Sequence, residues 1–567
     1  MRKKMFLAAV LALCLAMPLG SAFAVESFVQ PSGVIQYNAA KSYGGYQLFS
    51  GTGAGNRNSY LIDMEGYVIH EWHTNYIPSL HEQLLQNGNL VRAQAPPATQ
   101  PLEISTPLML MKQPYTIGGG HGGLIQEFDW DGNLVWQYEL NDATHVQHHT
   151  FTRNETTGNT LILGWEQKSY AEAVAKGRNP ATVDKTRGLW PDYAIEVDHN
   201  TPANIVWEFH VWDNLIQNFD PSKPNYGNPK DNPDKIDINW INPGMAVVAS
   251  QTQDWTHWNT LNYHPTDSNK IIANSRHFGE SYIIDKAAKK FIYRFGNPSA
   301  YGAGVAPSFQ SDGDQLIFGP HHAHIIGPGL DGAGHLMILD NGWNRPAGNR
   351  TRVIEVDMTR TSGAAGNTAG TLHPGWIVWQ YAAARPNSMY SASQCSNDRL
   401  PNGNTSITIT ETGHIIEVTK GTASGVNWIN KEVVWEFINP LESTTTAGYV
   451  TFPVVRCIFS DSTDSGAHNP TSIHRSTRYG TDYAAFQNKD MSQKYLMAQG
   501  CPEAWKMLDY TTGWTAGWNA LQVPAALPLT GWGFGSFGTS VTTTSTGISG
   551  GGGGAGAGAG GGGGGGY

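Results

Sequence analysis

Six short segments of this chain share one pattern, which limits the possible folds more than any other feature of the sequence. Each has a β-branched residue, then Trp or another large residue, a polar residue and an aromatic residue, and this composition favours a β-strand. The four clearest copies are Val135-Trp136-Gln137-Tyr138, Val206-Trp207-Glu208-Phe209, Val378-Trp379-Gln380-Tyr381 and Val434-Trp435-Glu436-Phe437. Two weaker copies are Ile69-His70-Glu71-Trp72 and Ile292-Tyr293-Arg294-Phe295. The six copies indicate that one structural unit occurs six times.

Each copy closes a module that begins with another predicted strand. In the second module, a strand at 124–128 precedes the turn Asp131-Gly132-Asn133 and then the tryptophan segment. Histidines lie near the start of most modules; the five module openers contain His81, His148-His149, His257, His321 and Ser393-Gln394-Cys395. Six modules of four short strands, each of ~40 residues or more, predict an all-β, six-bladed β-propeller over residues 25–500.

The first module, counted from Val34 to Trp72, has no opening strand of its own. A segment with strand character near the other end, at 471–480, has no module after it. We therefore predict that this C-terminal strand closes the ring as the innermost strand of the first blade, beside residues 45–50. Such closure removes an exposed sheet edge. Because the first strand of every blade lines the central channel, the opening histidines should converge there.

The two ends of the chain have compositions of their own. Residues 1–24 resemble a secretory signal peptide, with Arg2-Lys3-Lys4, an apolar run at 5–19 and the small-residue segment Ser21-Ala22-Phe23-Ala24. No later stretch is long and apolar enough to span a bilayer. We expect an exported protein, periplasmic or extracellular, with no membrane span. Residues 501–530 form a predicted C-terminal extension, and residues 531–567 a predicted Gly-rich disordered tail.

Cysteine content and charge set two further expectations. After removal of the signal peptide, Cys395, Cys457 and Cys501 remain, and an odd number in an oxidising compartment predicts one disulfide and one free thiol. The sequence leaves the pairing open, and we favour Cys457 with Cys501. The formal net charge of -10 argues against a nucleic-acid partner. Homo-oligomer formation stays open.

Three parts of the chain resemble motifs of the bacterial arylsulfotransferases that work without a nucleotide sulfate donor. They are Asp254-Trp255-Thr256-His257-Trp258-Asn259-Thr260 with Ala273-Asn274-Ser275-Arg276-His277, Pro320-His321-His322-Ala323 with Leu339-Asp340-Asn341-Gly342, and His474-Arg475-Ser476-Thr477-Arg478-Tyr479-Gly480-Thr481-Asp482-Tyr483. The first is similar to the family's D-W-x-H-x-N-S and S-S-R-H pair, and the second to Q-H-x-A followed by F-D-N-G. The third is similar to the R-A-Y-R-Y-x-P-D-Y of related propellers. The family's glutamine before the nucleophile is Pro320 here, and its cysteine pair has no counterpart between residues 296 and 320.

The resemblance implies a sulfotransferase that moves a sulfuryl group from an aryl sulfate to a phenolic acceptor through a sulfohistidine intermediate. By motif, His321 matches the nucleophile, His257 a second active-site histidine, and Arg276 the arginine that steadies the sulfuryl oxygens. His149, or its neighbour His148, matches a histidine from an earlier blade. The set is chemically coherent, because a neutral imidazole can attack sulfur, a guanidinium binds anionic oxygens, and further histidines can protonate the departing phenolate.

Three more residues are predicted to bind substrate: His148, His322 and Asn341. His322 and His324 should share one face of their strand, with His321 on the other, because side chains alternate along a strand.

The site should assemble from residues that are distant in sequence. We expect the side-chain heads of His149, His257, Arg276 and His321, from three blades, to lie within roughly 10 Å of each other in one channel mouth. The predicted partners are a small-molecule aryl sulfate donor and a phenolic acceptor, with no cofactor.

Two other classes of function stay open from the residues alone. Imidazoles of His149, His257, His321 or His322, together with His81 and His474, can meet on the channel axis and bind copper or zinc, which would make the protein a metal-dependent oxidoreductase. The third class is a propeller that binds a ligand or partner on its channel face without catalysis. Metal content tests the second class, and turnover of an aryl sulfate tests the third.

Overall fold

The computed structural model describes residues 26–27, 32–51, 57–95, 117, 119–242, 253–360, 375–384, 388–424, 427–441 and 472–497. Their strands form six antiparallel sheets, arranged as the blades of a six-bladed β-propeller. The predicted fold class is therefore confirmed. The predicted signal peptide, C-terminal extension and Gly-rich tail lie outside the described residues.

The first three blades contain these strands, given from the innermost outwards. Blade 1 consists of Ile473–Tyr479, Tyr46–Gly51, Asn58–Ile62, Tyr67–His73 and Tyr495–Leu496. Blade 2 consists of Ile77–Leu84, Leu90–Ala95, Leu124–Phe128 and Leu134–Glu139. Blade 3 consists of His145–Arg153, Thr160–Glu166, Asp192–Val197 and Ile205–His210.

The other three blades follow the same order. Blade 4 consists of Trp258–His264, Asp267–Ser275, Glu280–Asp285 and Lys290–Phe295. Blade 5 consists of His321–Ile325, Leu336–Asp340, Arg352–Asp357 and Trp376–Tyr381. Blade 6 consists of Ser396–Arg399, Thr405–Ile409, His414–Val418, Val433–Ile438, Gly33–Tyr37 and Glu26–Ser27.

The repeated aromatic segments are the fourth strands of the blades, and their tryptophans connect each blade to the next. In five blades a tryptophan of the repeat donates its indole N–H to a backbone carbonyl of the following blade. The pairs are Trp72 to Asp129 at 3.1 Å, Trp136 to His199 at 3.0 Å, Trp207 to Lys286 at 2.8 Å, Trp379 to Lys420 at 3.0 Å and Trp435 to Met64 at 2.7 Å. A tryptophan is favoured at this position because it fills the space between blades and also satisfies a buried polar group.

The ring is closed by strands from both ends of the propeller. Ile473–Tyr479 pairs with Tyr46–Gly51 as the innermost strand of blade 1, with Tyr46 opposite Tyr479, so the predicted closure is confirmed. One boundary was wrong: the strand Gly33–Tyr37 pairs with Val433–Ile438 and belongs to blade 6. The first module therefore begins at Tyr46, because the strand that contains Val34 pairs with the outer side of blade 6.

The apolar core is divided among the interfaces between neighbouring blades. Between blades 3 and 4, for example, Leu161, Phe209, Trp258 and Phe291 pack in one cluster with at most 1% of each residue exposed. Burial of this kind is the main favourable term in folding. The apolar side chains lie between neighbouring sheets. The polar side chains of the inner strands lie beside the channel.

Short elements connect the blades. The α-helix Tyr170–Ala175 is inserted in blade 3 and begins with a capping box, in which Ser169 and Glu172 each bond the other's backbone N–H. Two small sheets pair Leu215–Ile216 with Ile236–Asp237 and Thr422–Ser424 with Asn427–Ile429. The 3-10 helices are Pro180–Thr182, Val211–Asp213, Pro229–Asp231, Pro298–Tyr301, Thr410–Thr412 and Ala484–Phe486. Among the described residues, no helix is both long and apolar enough to cross a membrane.

Candidate active site

The inner strands of blades 3, 4 and 5 bring three histidines together near one end of the channel: His321 and His257 lie at or just before the starts of their strands, and His149 lies in the bulge of His145–Arg153. The imidazoles of His149 and His257 are 4.8 Å apart between ring centroids. Both have left-handed backbone, with φ of 53° and 46°, which is unusual for a residue with a side chain. Burial, followed by the positive charge of Arg276, lowers the pKa of His321 well below its usual range, and the proximity of His257 lowers that pKa further. We call His149, His257, His321 and Arg276 the strand-start cluster.

The ring of His321 is held by Asn341. Nδ1 of His321 lies 2.6 Å from Oδ1 of Asn341 and 3.1 Å from the Gly319 carbonyl. The amide nitrogen of Asn341 donates to the carbonyls of Ser391 at 2.9 Å and Gln394 at 3.2 Å, so its oxygen is the atom that faces the ring. Nδ1 must therefore carry the proton of the neutral imidazole, and Nε2 carries the lone pair.

A turn before the first strand of blade 6 connects the histidine to the arginine. The Gln394 N–H donates to Nε2 of His321 at 3.1 Å, and Nη1 of Arg276 donates to the Ala392 carbonyl at 2.9 Å. Gln394 and Cys395 have positive φ, at 60° and 78°. Cys395 is a free and buried thiol, whereas Cys457 and Cys501 lie outside the described residues.

Arg276 is a buried cation, with 8% of the residue exposed. Its guanidinium lies over the Trp343 ring at 4.5 Å, and its backbone N–H donates to the His257 carbonyl at 3.0 Å. Burial lowers the pKa of Arg276 to about 10, so the group stays charged at neutral pH. In the described part of the chain no carboxylate lies within 4.0 Å of it, which leaves its charge available to an anion.

A chain of three titratable groups extends from His149 into the protein. Nδ1 of His149 and Nδ1 of His148 are 2.8 Å apart, and Nε2 of His148 is 3.0 Å from Oδ1 of Asp192. The other oxygen of Asp192 accepts from the Trp258 N–H at 2.9 Å and from the Thr256 hydroxyl. Nε2 of His148 and Oδ1 of Asp192 are close enough for a proton to pass between them, although in this conformation the two atoms are not aligned as a hydrogen bond.

Burial sets the protonation states along this chain. It raises the pKa of Asp192 to about 7 and lowers the pKa of His148 to about 3. The pKa of His149 is well below its usual range, first because of burial and then because of His257. The proton of the pair therefore resides on Asp192, and both imidazoles are neutral.

His257 has a carboxylate partner of its own. Its Nδ1 bonds to Oδ2 of Asp254, and its ring stacks on that of His277 with centroids 4.7 Å apart. Burial raises the pKa of Asp254 to about 7, and burial followed by the charge of Arg276 holds the pKa of His257 well below its usual range. The two groups therefore share one proton as a neutral pair.

A family model described as arylsulfotransferase (ASST) matches residues 34–449 of the sequence. The chain belongs to the arylsulfotransferase family. The match includes residues of all six blades, and the closing strand Ile473–Tyr479 and the short edge strands Glu26–Ser27 and Tyr495–Leu496 lie outside it. No curated protein matches the sequence.

The solved structures similar to this arylsulfotransferase family member are remote from it in sequence. One is a protein of unknown function from Bacteroides caccae, 9% identical, with 69% of this chain and 94% of that chain covered and a TM-score of 0.33. Another is the β-propeller domain of Cps50 (Swd1) from Myceliophteria thermophila, 9% identical, with coverages of 71% and 89% and a TM-score of 0.34. A third is hydrazine synthase from Kuenenia stuttgartiensis, 9% identical, with coverages of 71% and 80% and a TM-score of 0.31. Likenesses at this level carry no argument about activity.

The three residues predicted to bind substrate occupy different places. His148 is completely buried and stacks on Trp165 at 3.8 Å between ring centroids, so it lies behind His149. Asn341 is also completely buried and holds the His321 ring. His322 faces the channel, where its Nδ1 accepts from the Asn397 N–H at 3.1 Å. Only His322 of the three has an exposed surface in the channel.

His322 belongs to a second group, which we call the mid-strand cluster, with His324 and Asp398. The rings of His322 and His324 are 5.0 Å apart, in a strand whose pairing is irregular between His321 and His324 and where His322 has a φ of 46°. The ligand atoms of the three residues lie within 4.8 Å of one another, and those of Asp254, His257 and His277 do so as well. These two sets can hold a metal ion. In each set one histidine already has a hydrogen bond at Nδ1: His322 with the Asn397 N–H, and His257 with Asp254.

Several residues of the site were missed by sequence reasoning. Asp192 was detectable as an acidic residue directly before the run Tyr193-Ala194-Ile195 in the strand Asp192–Val197. Trp165 and Gly120 gave no usable signal, yet Trp165 covers His148 and Gly120 underlies the His149 ring. A Cβ atom at Gly120 would lie 2.2 Å from Cε1 of His149. Such contacts depend on neighbouring strands and are not encoded in local spacing.

Proposed function

We propose that the protein transfers a sulfuryl group from an aryl sulfate to a phenolic acceptor through a sulfohistidine on His321. What supports this is the direction of the His321 lone pair. Asn341 accepts the Nδ1 proton, so Nε2 is left as the nucleophilic atom. Family membership supports the same class of reaction. The pKa of His321 is well below its usual range, first because of burial and then because of Arg276, so the nucleophile is neutral at physiological pH.

In the first half-reaction, Nε2 of His321 attacks the sulfur atom and the bond from sulfur to the aryl oxygen breaks. The donor displaces the Gln394 N–H from Nε2, and that N–H is then free to bind a sulfuryl oxygen. Arg276 adds a charged donor that needs no reorganisation, since its place is fixed by Ala392 and Trp343. The adduct keeps the Nδ1 proton, shared with Asn341.

The departing phenolate takes a proton through His149. Nε2–H of His149 donates to the phenolate oxygen, Nδ1 of His149 receives the proton of His148, and His148 receives the proton of Asp192. The two neutral imidazoles pass the proton on, and its source is Asp192. The Asp192 pKa of about 7 suits a proton donor at neutral pH.

In the second half-reaction the same groups work in reverse. The acceptor phenol loses its proton to Nε2 of His149, and Asp192 is protonated again. The phenol oxygen attacks sulfur and the bond from Nε2 of His321 to sulfur breaks. The mechanism is ping-pong because the sulfuryl group stays on His321 after the first product leaves and before the acceptor reacts. The relay returns its proton in the second half, so the protein ends in its starting state.

Mass spectrometry with an aryl sulfate and no acceptor tests the proposal. A sulfuryl adduct on His321 is expected, and His321→Ala should lose it together with all turnover. His149→Ala should keep trace activity because it removes a proton relay and not the nucleophile. An adduct on His322, or an active His321→Ala variant, would contradict the assignment.

The second candidate function is metal-dependent chemistry at Asp254, His257 and His277. Their mutual proximity favours it, whereas the hydrogen bond between Asp254 and His257 already uses one ligand atom. Metal analysis of the purified protein separates the two candidates: stoichiometric copper or zinc with no aryl sulfate turnover supports the second. Tight ligand binding with neither metal nor turnover supports a non-catalytic propeller.

We also propose that the protein acts outside the cytoplasm, which rests on the signal-like sequence at 1–24. An aryl sulfate donor suits such a compartment, because no nucleotide donor is needed. Fractionation of cells that express the full chain tests this, with N-terminal sequencing after residue 24 as the expected result.

A further inference from the structure

The strand that closes the ring places an arginine across the channel. Arg475 belongs to blade 1, and its Nη1 donates to the hydroxyl of Thr150 in blade 3 at 3.0 Å. Its Nη2 donates to the carbonyl of Asn259 in blade 4 at 2.7 Å. The guanidinium therefore reaches from one blade to two others on different parts of the ring.

The position of Arg475 relates it to the strand-start cluster. Thr150 directly follows His149, and Asn259 lies two residues after His257. The guanidinium thus lies just deeper along the inner strands than these two imidazoles. Its charge also acts on His321, so Arg475 is close to every histidine of the cluster.

A bulge in the closing strand makes this placement possible. In the pairing of Ile473–Tyr479 with Tyr46–Gly51, Ile473 lies opposite Gly51 and Ser476 opposite Phe49. His474 and Arg475 therefore face a single partner residue. A bulge re-aims side chains and is common beside active sites, and here it brings two consecutive polar residues into the channel.

Both residues have buried polar atoms without a partner. Nε of Arg475 and both ring nitrogens of His474 have none, although the two residues are only 6% and 1% exposed. The His474 ring is 6.4 Å from that of His149. Over the described ranges, Arg475 also has no carboxylate within 4.0 Å. A charged donor and unpartnered imidazole nitrogens in one buried space are what a small anion requires.

We propose that Arg475 binds an oxygen of the sulfuryl group through its Nε–H from the inner side of the channel, with His474 as a second donor. The transferred group is then held between two guanidinium groups, Arg276 where the strands begin and Arg475 deeper in the channel. This inference rests on the proposed sulfuryl transfer and adds a residue that lies outside the matched region 34–449.

The test uses an aryl sulfonate, whose sulfur is bonded to carbon and cannot be transferred. Its Kd is measured by calorimetry for the native protein, Arg475→Lys and Arg475→Gln, alongside kcat and KM for the corresponding aryl sulfate. We expect the glutamine variant to bind the sulfonate roughly 10- to 100-fold more weakly, the scale of one lost charge-assisted hydrogen bond. The lysine variant should recover part of this affinity, because it keeps the charge.

Arg92 provides a matched control. It is completely buried, and its Nη1 donates to the Arg57 carbonyl at 2.8 Å and the Thr74 hydroxyl at 3.1 Å, at the interface of blades 1 and 2. The same two substitutions there should leave the Kd unchanged. Thermal unfolding of all variants shows which of them are folded. If Arg475→Gln is not folded, Arg475→Lys tests the proposal instead.

The outcomes separate this proposal from the function on which it rests. Native turnover with an unchanged sulfonate Kd in the folded Arg475 variants overturns the role of Arg475 alone. A native protein that neither binds the sulfonate nor turns over the sulfate overturns the proposed function, and this proposal with it.

Discussion

Two groups of histidines face the same channel, and they differ in what holds each ring. In the strand-start cluster, His149, His257 and His321 each have an Nδ1 bonded to a side chain, namely His148, Asp254 and Asn341. In the mid-strand cluster, Nδ1 of His324 is buried without a partner. The side chain of Asp398 has no hydrogen bond among the described residues. A ring with a fixed tautomer is prepared for one reaction, whereas an unfixed ring is not.

The comparison teaches that the number of histidines is a poor guide to the site. His322 is adjacent to His321 and matches the same motif, but the lone pairs of the two rings are on opposite nitrogens. The lone pair of His321 is on Nε2, where it accepts from the Gln394 N–H, whereas that of His322 is on Nδ1, where it accepts from the Asn397 N–H. Its Nε2 therefore carries the proton and cannot act as a nucleophile in this state. The partner of each ring, and not the ring itself, separates the two clusters.

The largest expected effect separates His321 from His322. His321→Ala should abolish ping-pong turnover of a chromogenic aryl sulfate, because the nucleophile that forms the covalent intermediate is lost. His322→Ala should reduce kcat/KM by less than about tenfold, since a hydrogen-bonding side chain beside the site is lost and not the nucleophile. Equal loss in both variants would remove the distinction between the clusters.

The next effect compares two buried carboxyl groups. Asp192→Asn should lower kcat by about 10²–10⁴-fold for donors with basic phenolate leaving groups, because the relay loses its proton source. Donors with acidic phenols should be affected less. Asp398→Asn is the control: burial also raises the pKa of Asp398 to about 7, but no described histidine links this group to His149 as His148 links Asp192. A comparable loss in the control would show that the relay is misassigned.

A smaller effect is expected at Gly120. Gly120→Ala should lower kcat by about 10²-fold, since the new Cβ would displace the His149 ring by an ångström or more. Gly132→Ala is a matched control, because Gly132 also has positive φ, 85° against 93°, while a Cβ there meets nothing within 4 Å. Both variants should lose similar stability to backbone strain, and only the first should lose activity. Kinetics and thermal unfolding of the pair measure the two effects separately.

The smallest effect concerns the pH dependence of stability. Asp192 has a folded-state pKa of about 7, raised by burial from 3.8, so its protonated form stabilises the folded state. This contribution is complete below about pH 4 and is lost as the pH rises through 7. The Tm of the native protein minus that of Asp192→Asn should therefore decrease from pH 5 to pH 8. A difference that does not change with pH would place the pKa of Asp192 near its ordinary value.

Much of the fold followed from local sequence. The tryptophan segments recur with strand composition, and together with the segment at 471–480 they predicted six blades and the closing strand. The boundary error at Val34 had a physical reason: a strand such as Gly33–Tyr37 has the same local pattern whether it pairs within blade 1 or on the outer edge of blade 6. Strand pairing depends on partners elsewhere in the chain.

For the candidate site, the sequence by itself determined the types of residue and their approximate place. Histidines near the starts of inner strands were expected at the channel, because the first strand of every blade lines it. The tertiary structure alone decided which atoms carry protons. Asp192 comes from the third strand of blade 3, Asn341 follows the second strand of blade 5, and Arg475 comes from the closing strand. Tautomers, pKa values and unpartnered donors arise from contacts between such segments, and no spacing in the sequence records those contacts.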